Sequence, residues 1–377
     1  MTAEATRADV ARAARVVVKI GSSSLTGADG RLDLDALHAL VKVVAERWAA
    51  GTQVVLVTSG AIAAAITPLG LSGRPTDVAT AQAAASVGQG LLIARYTEAF
   101  GYHGLRVGQV LLTAEDTVRR GRYRNAQRAL ERLLELGVVP IINENDAVTT
   151  DEIRFGDNDR LAALVSHLGR ADALVLLTDV DGLYDGPPSR PGARRIDEVR
   201  KADDLAGIEV TSRGSSVGTG GMVTKLESVR IATSSGIPVV LTNAAAAGAA
   251  LTGERTGTFF APYGRRRTAR HLWLAHAADA QGRIVVDDGA AAALRGGRAS
   301  LLAAGITGVE GDFSSGDVVD IVDHGGAVLA RGLVAFDATE LPSLLGRTTA
   351  ELREAFGEGY DRMVVHRDDL VVVRSRA

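Results

Sequence analysis

The chain has 377 residues, enough for two or three domains, and it is 46% apolar but only 4% aromatic, so any sizeable core must be mainly aliphatic. A net charge of −3 gives no global attraction to nucleic acid or an anionic membrane surface, and the absence of cysteine excludes disulfides, thiolate nucleophiles and cysteine-bound metals. No apolar run approaches membrane-spanning length and the first fourteen residues lack the apolar core of a signal peptide, so a cytoplasmic, non-membrane protein is expected.

Residues 1–14 read as a polar N-terminal extension, expected to be disordered. Arg15 to Ile20 follows as a buried strand, and Gly21-Ser22-Ser23-Ser24 turns out of it. Glycine and hydroxyl residues of this kind can bring backbone N–H groups towards a phosphate, although the spacing of a Walker A loop is absent and an ordinary strand-to-helix turn fits the signal better. An amphipathic helix over 33–50 leads through Gly51 into a strand over 53–57. Thr58-Ser59-Gly60-Ala61 repeats the pattern of strand, small polar turn and helix. Ser59 reads there as an N-cap or as a ligand for a carboxylate or phosphate. Helical patterns cover 76–100 and 114–136, separated by a strand over 107–112; the arginine-rich part of the second reads as a solvated face.

The most informative run comes next. Val138 to Ile142 is short, β-branched and apolar, a strand of a parallel sheet, and it delivers Asn143-Glu144-Asn145-Asp146 at its carboxyl end. In open α/β sheets that edge is where ligands bind. Gly156-Asp157-Asn158-Asp159 then opens a helix, where Asp157 and Asn158 could cap it or serve function. Capping explains one polar residue rather than six. A strand over 173–177 ends in Thr178-Asp179-Val180-Asp181, whose carboxylates could shape a turn, approach a nucleotide or hold Mg²⁺ through water. The Pro-, Gly- and Arg-rich stretch 186–195 reads as a mobile surface loop.

Ser215 to Lys225 is a glycine-rich approach to a helix with a lysine in its first turns, well suited to nucleotide phosphates. Lysine is scarce here: of 42 basic residues only Lys19, Lys42, Lys201 and Lys225 are lysine, and Lys19 and Lys225 both fall in glycine-rich motifs. That placement suggests a requirement for a compact ammonium. A strand over 237–241 follows, and Thr258-Phe259-Phe260 closes this part. Beyond 262–270, with its run Arg265-Arg266-Arg267, the pattern changes to short strands with glycine turns over 283–286, 318–322, 327–336 and 370–373.

Val17-Val18-Lys19-Ile20-Gly21, Thr58-Ser59-Gly60-Ala61, Asn143-Glu144-Asn145-Asp146-Ala147-Val148, Gly156-Asp157-Asn158-Asp159, Leu177-Thr178-Asp179 and Gly218-Thr219-Gly220-Gly221-Met222 with Thr224-Lys225 together resemble the glutamate 5-kinase family of the amino acid kinases. The resemblance implies an amino acid kinase domain at 15–261, a linker at 262–270 and a PUA domain at 271–377. The implied fold is α/β, a three-layer αβα sandwich with a mainly parallel central sheet, followed by a small, mainly β barrel. The implied reaction is ATP-dependent phosphorylation of the L-glutamate side-chain carboxylate, the first step of proline biosynthesis, with a related kinase for another carboxylate acceptor as the alternative.

Carried over residue by residue, the resemblance implies that Ser59, Asn143, Asp146 and Asn158 bind glutamate. Lys19, Thr178, Asp179, Thr219, Gly220, Gly221, Met222, Val223, Thr224 and Lys225 would bind ATP. Lys19, Asp159 and Lys225 would be catalytic, with Asp159 orienting the lysines and Mg²⁺; no residue set is assigned as metal ligands. Feedback inhibition by proline and assembly as a dimer or tetramer are implied as well. PUA domains elsewhere bind RNA, but residues 265–377 hold fourteen arginines, no lysine and sixteen acidic residues, net −2, which favours a structural or regulatory tail. The chain departs from the family at 182–188, where the Thr-Ala-Asp-Pro that often follows Tyr184 is missing, so adenine- and ribose-side contacts stay unassigned.

Overall fold

Arg15-Val16-Val17-Val18-Lys19-Ile20 is apolar on both faces except at one lysine, as a strand covered on both sides must be. It forms β1 (Arg15–Ile20), in the middle of an eight-stranded sheet. The computed structural model describes residues 5–27, 30–113, 116–117, 120–148, 158–205, 221–263, 274, 280–296 and 299–373. Two compact units divide the chain, Met1–Ala269 and Arg270–Ala377.

In the first unit β1 lies between β2 (Gln53–Val57) and β5 (Ala173–Thr178), parallel to both. β4 (Val138–Glu144) pairs parallel with β2, and β3 (Arg106–Leu112) pairs parallel with β4 at one edge. β7 (Val239–Asn243) pairs parallel with β5, then β8 (Thr258–Phe260) runs antiparallel to it and carries the short β6 (Glu198–Val199) at the other edge. The sheet is therefore mixed but mainly parallel. Its consequence for function is that β4, β2, β1 and β5 are consecutive neighbours with their carboxyl ends on one rim.

Alternation decides which face each residue serves. Val16, Val18 and Ile20 share a core with Leu37, Leu40 and Val44 of α2 (Leu34–Ala49) and Leu92 and Tyr96 of α4 (Val78–Gly101). Lys19 has the opposite parity and meets α6 (Asn158–Leu168) on the other face. The three layers follow. Asp33 caps α2 and Asp77 caps α4, each carboxylate accepting a backbone N–H three residues on. Between them, α3 (Ala61–Ile66) starts at Gly60, whose φ of +105° suits glycine. Further helices among the described residues of this unit include α5 (Arg120–Glu135), α7 (Met222–Ser234) and α8 (Ala247–Leu251).

The N-terminal extension departs from the expectation of disorder. Arg7–Ala11 forms α1, with the Asp9 carboxylate accepting from the Thr6 N–H at 2.6 Å. Val10 is fully buried in the main core. The Arg7 guanidinium donates to the carbonyl oxygens of Asp197 at 2.7 Å and Gly257 at 3.1 Å, and also to that of Thr256; it lies 5.8 Å from the Phe259 ring centroid. Val10, the Arg7 guanidinium and donation from Arg47 to the Ala11 carbonyl dock the helix, and so small an apolar signal is easily read as a polar tail. Residues 186–195 form an irregular surface loop. Tyr184 bridges Arg195, and Asp181 accepts from the Tyr184 hydroxyl at 2.8 Å and from Arg195 at 3.0 Å, so this stretch is tied at its base.

Among its described residues the second unit holds five strands rather than four: β9 (Gly282–Val286), β10 (Ile306–Gly311), β11 (Val318–Val322), β12 (Val328–Leu333) and β13 (Leu370–Val372), in the order β10-β9-β11-β12-β13. β10 escapes sequence reading because its glycines break the alternation and its pairing with β9 shifts register between Ile306 and Gly308. Two helices were also unforeseen, α9 (Asp288–Arg295), capped by Asp287, and α10 (Thr349–Phe356), where Thr348 and Glu351 form a capping box. Among the described residues no helix is long and apolar enough to cross a membrane.

Candidate functional site

Parallel pairing brings four strand ends together, and each ends in a polar residue that a buried strand would not otherwise carry. β1 supplies Lys19, β2 leads into Thr58 and Ser59, β4 ends in Asn143 and Glu144, and β5 ends in Thr178. Two helix starts complete the group: α6 opens with Asn158 and Asp159, and α7 carries Lys225 in its first turn.

Asp159 is the electrostatic centre. Its side chain is 1% exposed, with Lys19 Nζ 2.5 Å from Oδ1 and Lys225 Nζ 3.0 Å from Oδ2. Burial alone would push the carboxyl upward, but the two adjacent ammonium groups override it and hold Asp159 down at about 2, so it is ionised throughout the neutral range. Two ammonium groups thus share one buried carboxylate at the rim. The other two lysines behave as surface residues: Lys201 is exposed, and Lys42 is 4.0 Å from Glu46 with both side chains largely in solvent.

The amide-rich side of the site is a hydrogen-bonded ladder. Asn158 Nδ2 donates to the Thr58 carbonyl at 2.9 Å, to Ser59 Oγ at 2.8 Å and to Asn143 Oδ1 at 2.9 Å. Asn143 Oδ1 also accepts from the Glu144 N–H at 3.0 Å, and Asn143 Nδ2 donates to Gln89 Oε1 of α4 at 2.7 Å. Among the described residues Asn158 Oδ1 is buried with no hydrogen-bond partner. Such an acceptor is held ready for a donor from outside the protein. Ser59 is not a cap: Gly60 occupies that position, and the hydroxyl of Ser59 is committed to Asn158.

Asp146 lies in the turn after β4, beside this ladder in sequence. On the other side, Thr178 Oγ1 donates to Asp179 Oδ1 at 2.8 Å, and Asp179 is exposed. Asp181 is spent on Arg195 and Tyr184, which removes it from the open alternatives. Gly221 offers no capping side chain to α7, and Thr224 Oγ1 donates to the Gly221 carbonyl at 2.8 Å; Met222 and Val223 complete that first turn. Thr219, Gly220 and Asp157 lie outside the described residues. Sequence reasoning missed Gln89 and Tyr96, both on α4. A glutamine on an alanine-rich buried face was the available signal.

Among the described residues no three His, Asp or Glu side chains are placed to hold a metal ion, and both oxygens of Asp159 face ammonium groups. The described part of the site is built around paired ammonium groups. It fits an anionic ligand, for which charge and helix-start N–H groups are in place.

Residues 14–243 match the model of the amino acid kinase family, and residues 282–356 match that of the PUA domain. The chain is 61% identical to the glutamate 5-kinase of Streptomyces coelicolor over 97% of its own length and 98% of that protein. It is 59% identical to the glutamate 5-kinase of Thermobifida fusca over 98% of its length and 96% of that one, and 60% identical to that of Frankia casuarinae over 97% and 98%. Among solved structures, a carbamate kinase from Giardia lamblia bound to AMP-PNP superposes with a TM-score of 0.50 at 17% identity, covering 66% of this chain and 98% of that one; it shares the fold.

Proposed function

This chain belongs to the amino acid kinase family, in its glutamate 5-kinase branch with a PUA domain, and on that premise we propose that the rim of β4, β2, β1 and β5 transfers the terminal phosphoryl group of ATP to the side-chain carboxylate of L-glutamate. The observation that carries the proposal is the convergence of Lys19 and Lys225 on the buried Asp159.

The acceptor carboxylate is already ionised at neutral pH, so no general base is required. The obstacle is repulsion between two anions, and charge in the transition state spreads over the transferring phosphoryl oxygens. Lys19 and Lys225, both paired with Asp159, supply fixed positive charge without reorganisation during the reaction. The start of α7 adds roughly half a unit of positive dipole. Asp159 acts as the positioning residue, and Mg²⁺ arrives as part of the nucleotide substrate. Thr178, Asp179 and residues 219–225 form the nucleotide side of this reading. On the acceptor side, Ser59, Asn143, Asp146 and Asn158 hold glutamate, with the open Asn158 Oδ1 accepting from its ammonium group.

Incubating the protein with MgATP and each of glutamate, aspartate, N-acetylglutamate and carbamate, then trapping any acyl phosphate with hydroxylamine, tests the assignment. Hydroxamate from glutamate alone is expected; a better yield from another acceptor overturns it. The proposal extends to a cytoplasmic site of action, to proline inhibition at a site overlapping that of glutamate, and to a dimer or tetramer. For the second unit, net −2 over residues 265–377 supports a structural or regulatory role. Salt-sensitive micromolar RNA binding lost on deleting those residues would reverse that preference.

A further inference from the structure

Gln89 takes no part in the transfer described above, yet it is a buried amide, 9% exposed, in the middle of an apolar helix. Its neighbour explains how it reaches the site. A Cβ on Gly88 would lie 1.7 Å from the carbonyl oxygen of Ala61, so α4 crosses α3 at a separation that only glycine permits. The adjacent Gln89 then meets the end of β4. Tyr96, two helical turns further along the same face, meets the end of β2, its hydroxyl 2.8 Å from Thr58 Oγ1. Thr58 gives its own hydroxyl hydrogen to the Ser59 carbonyl at 3.0 Å, so Tyr96 is the donor.

The direction of each amide in the ladder follows from backbone groups, whose donor and acceptor roles are not open to choice. The Glu144 N–H must donate, so the Asn143 atom 3.0 Å away is Oδ1. Asn143 Nδ2 therefore faces α4, and the Gln89 atom 2.7 Å away is Oε1. The Thr58 carbonyl must accept, which identifies the Asn158 atom 2.9 Å away as Nδ2. What Asn158 has left is an oxygen, buried and without a partner among the described residues.

We infer that Gln89 is a positioning residue that anchors Asn143 and, through the Asn143–Asn158 hydrogen bond, holds in place the oxygen Asn158 presents to the substrate ammonium group, and thereby sets selectivity for an amino dicarboxylate over a plain dicarboxylate. The inference rests on the reading that Asn158 binds glutamate. Without Gln89 Oε1, the amide N–H of Asn143, a residue only 2% exposed, loses its acceptor. Asn143 is then held at Oδ1 alone, and its hydrogen bond to Asn158 loosens.

The test is steady-state kinetics of the intact chain with glutarate, which has both carboxylates and no ammonium, as competitive inhibitor. The variants are Gln89→Met and Gln89→Glu, the second keeping an oxygen towards Asn143. In Gln89→Met the KM for glutamate should rise about tenfold, the scale of one buried hydrogen bond, while the KM for ATP and the glutarate inhibition constant hold. Gln89→Glu should recover most of the glutamate preference. Should Gln89→Met fail to fold, Gln89→Asn, one methylene short of Asn143, reads the same ratio. An unchanged ratio of glutamate to glutarate affinity in a variant lacking the acceptor overturns the inference while leaving the Asn158 reading intact. A wild-type protein that does not favour glutamate over glutarate overturns both.

Discussion

Replacing Asp159 with asparagine removes the charge shared by Lys19 and Lys225 at almost no change in volume. The two ammonium groups, 4% and 12% exposed, would then face each other across a neutral amide. The carboxyl is lowered from 3.8 to about 2. That shift corresponds to roughly 2 kcal/mol of preference for the ionised form in the folded protein. Breaking a buried ion pair by removing one partner typically costs about 3–5 kcal/mol, because the remaining charges stay desolvated. The Asp159→Asn protein should therefore lose about 2–5 kcal/mol in urea unfolding at neutral pH without nucleotide. MgATP should restore part of that loss, since phosphates can neutralise the lysines.

The pH dependence has a definite sign. A folded-state pKa below the unfolded value means stability present above pH 4 and lost as pH falls towards 2, a loss that the asparagine variant should not show. Unfolding midpoints that coincide, together with parallel acid profiles, would refute the claim that Asp159 holds the lysines.

Lys225→Ala should lower turnover by roughly 10² to 10³ through loss of one preorganised donor, and near-normal turnover in the folded variant would remove Lys225 from the mechanism. Gly88→Ala should cost about 3 kcal/mol or more, read as a lower melting temperature, because the new Cβ would overlap the Ala61 carbonyl unless α4 moves. Arg7→Ala should cost about 2–3 kcal/mol through lost donation to the Asp197, Thr256 and Gly257 carbonyls, and an unaltered melting temperature would return α1 to the status of a tail.

Most of the first unit was legible because its signals are local. β1, β2 and β5 are short apolar runs bounded by glycine or small polar residues, and α2 and α4 show as helical patterns over 33–50 and 76–100. The scarcity of lysine singled out Lys19 and Lys225, and the structure places both on Asp159. What escaped depended on partners distant in sequence. Arg7 looks like any exposed arginine until the carbonyls of residues 197, 256 and 257 gather around it. Gln89 looks like one polar residue in an alanine-rich helix until Asn143, 54 positions away, is found against it. Two helices of the second unit were missed for a different reason: the Asp287 cap and the Thr348 capping box were present in the sequence but carried short helices among strands.

The sequence by itself determined the chemistry available: which residues end the strands, which lysines sit in glycine-rich turns, and that an acceptor already ionised needs no histidine or cysteine. Only the tertiary structure decided which of these groups meet. The order β4-β2-β1-β5 places strand ends separated by scores of residues on one rim. Side-chain parity then sends Lys19 away from the main core towards Asp159. Hydrogen-bond direction in the amide ladder is likewise a property of the assembled site, because an amide acquires a direction only from the backbone groups packed against it.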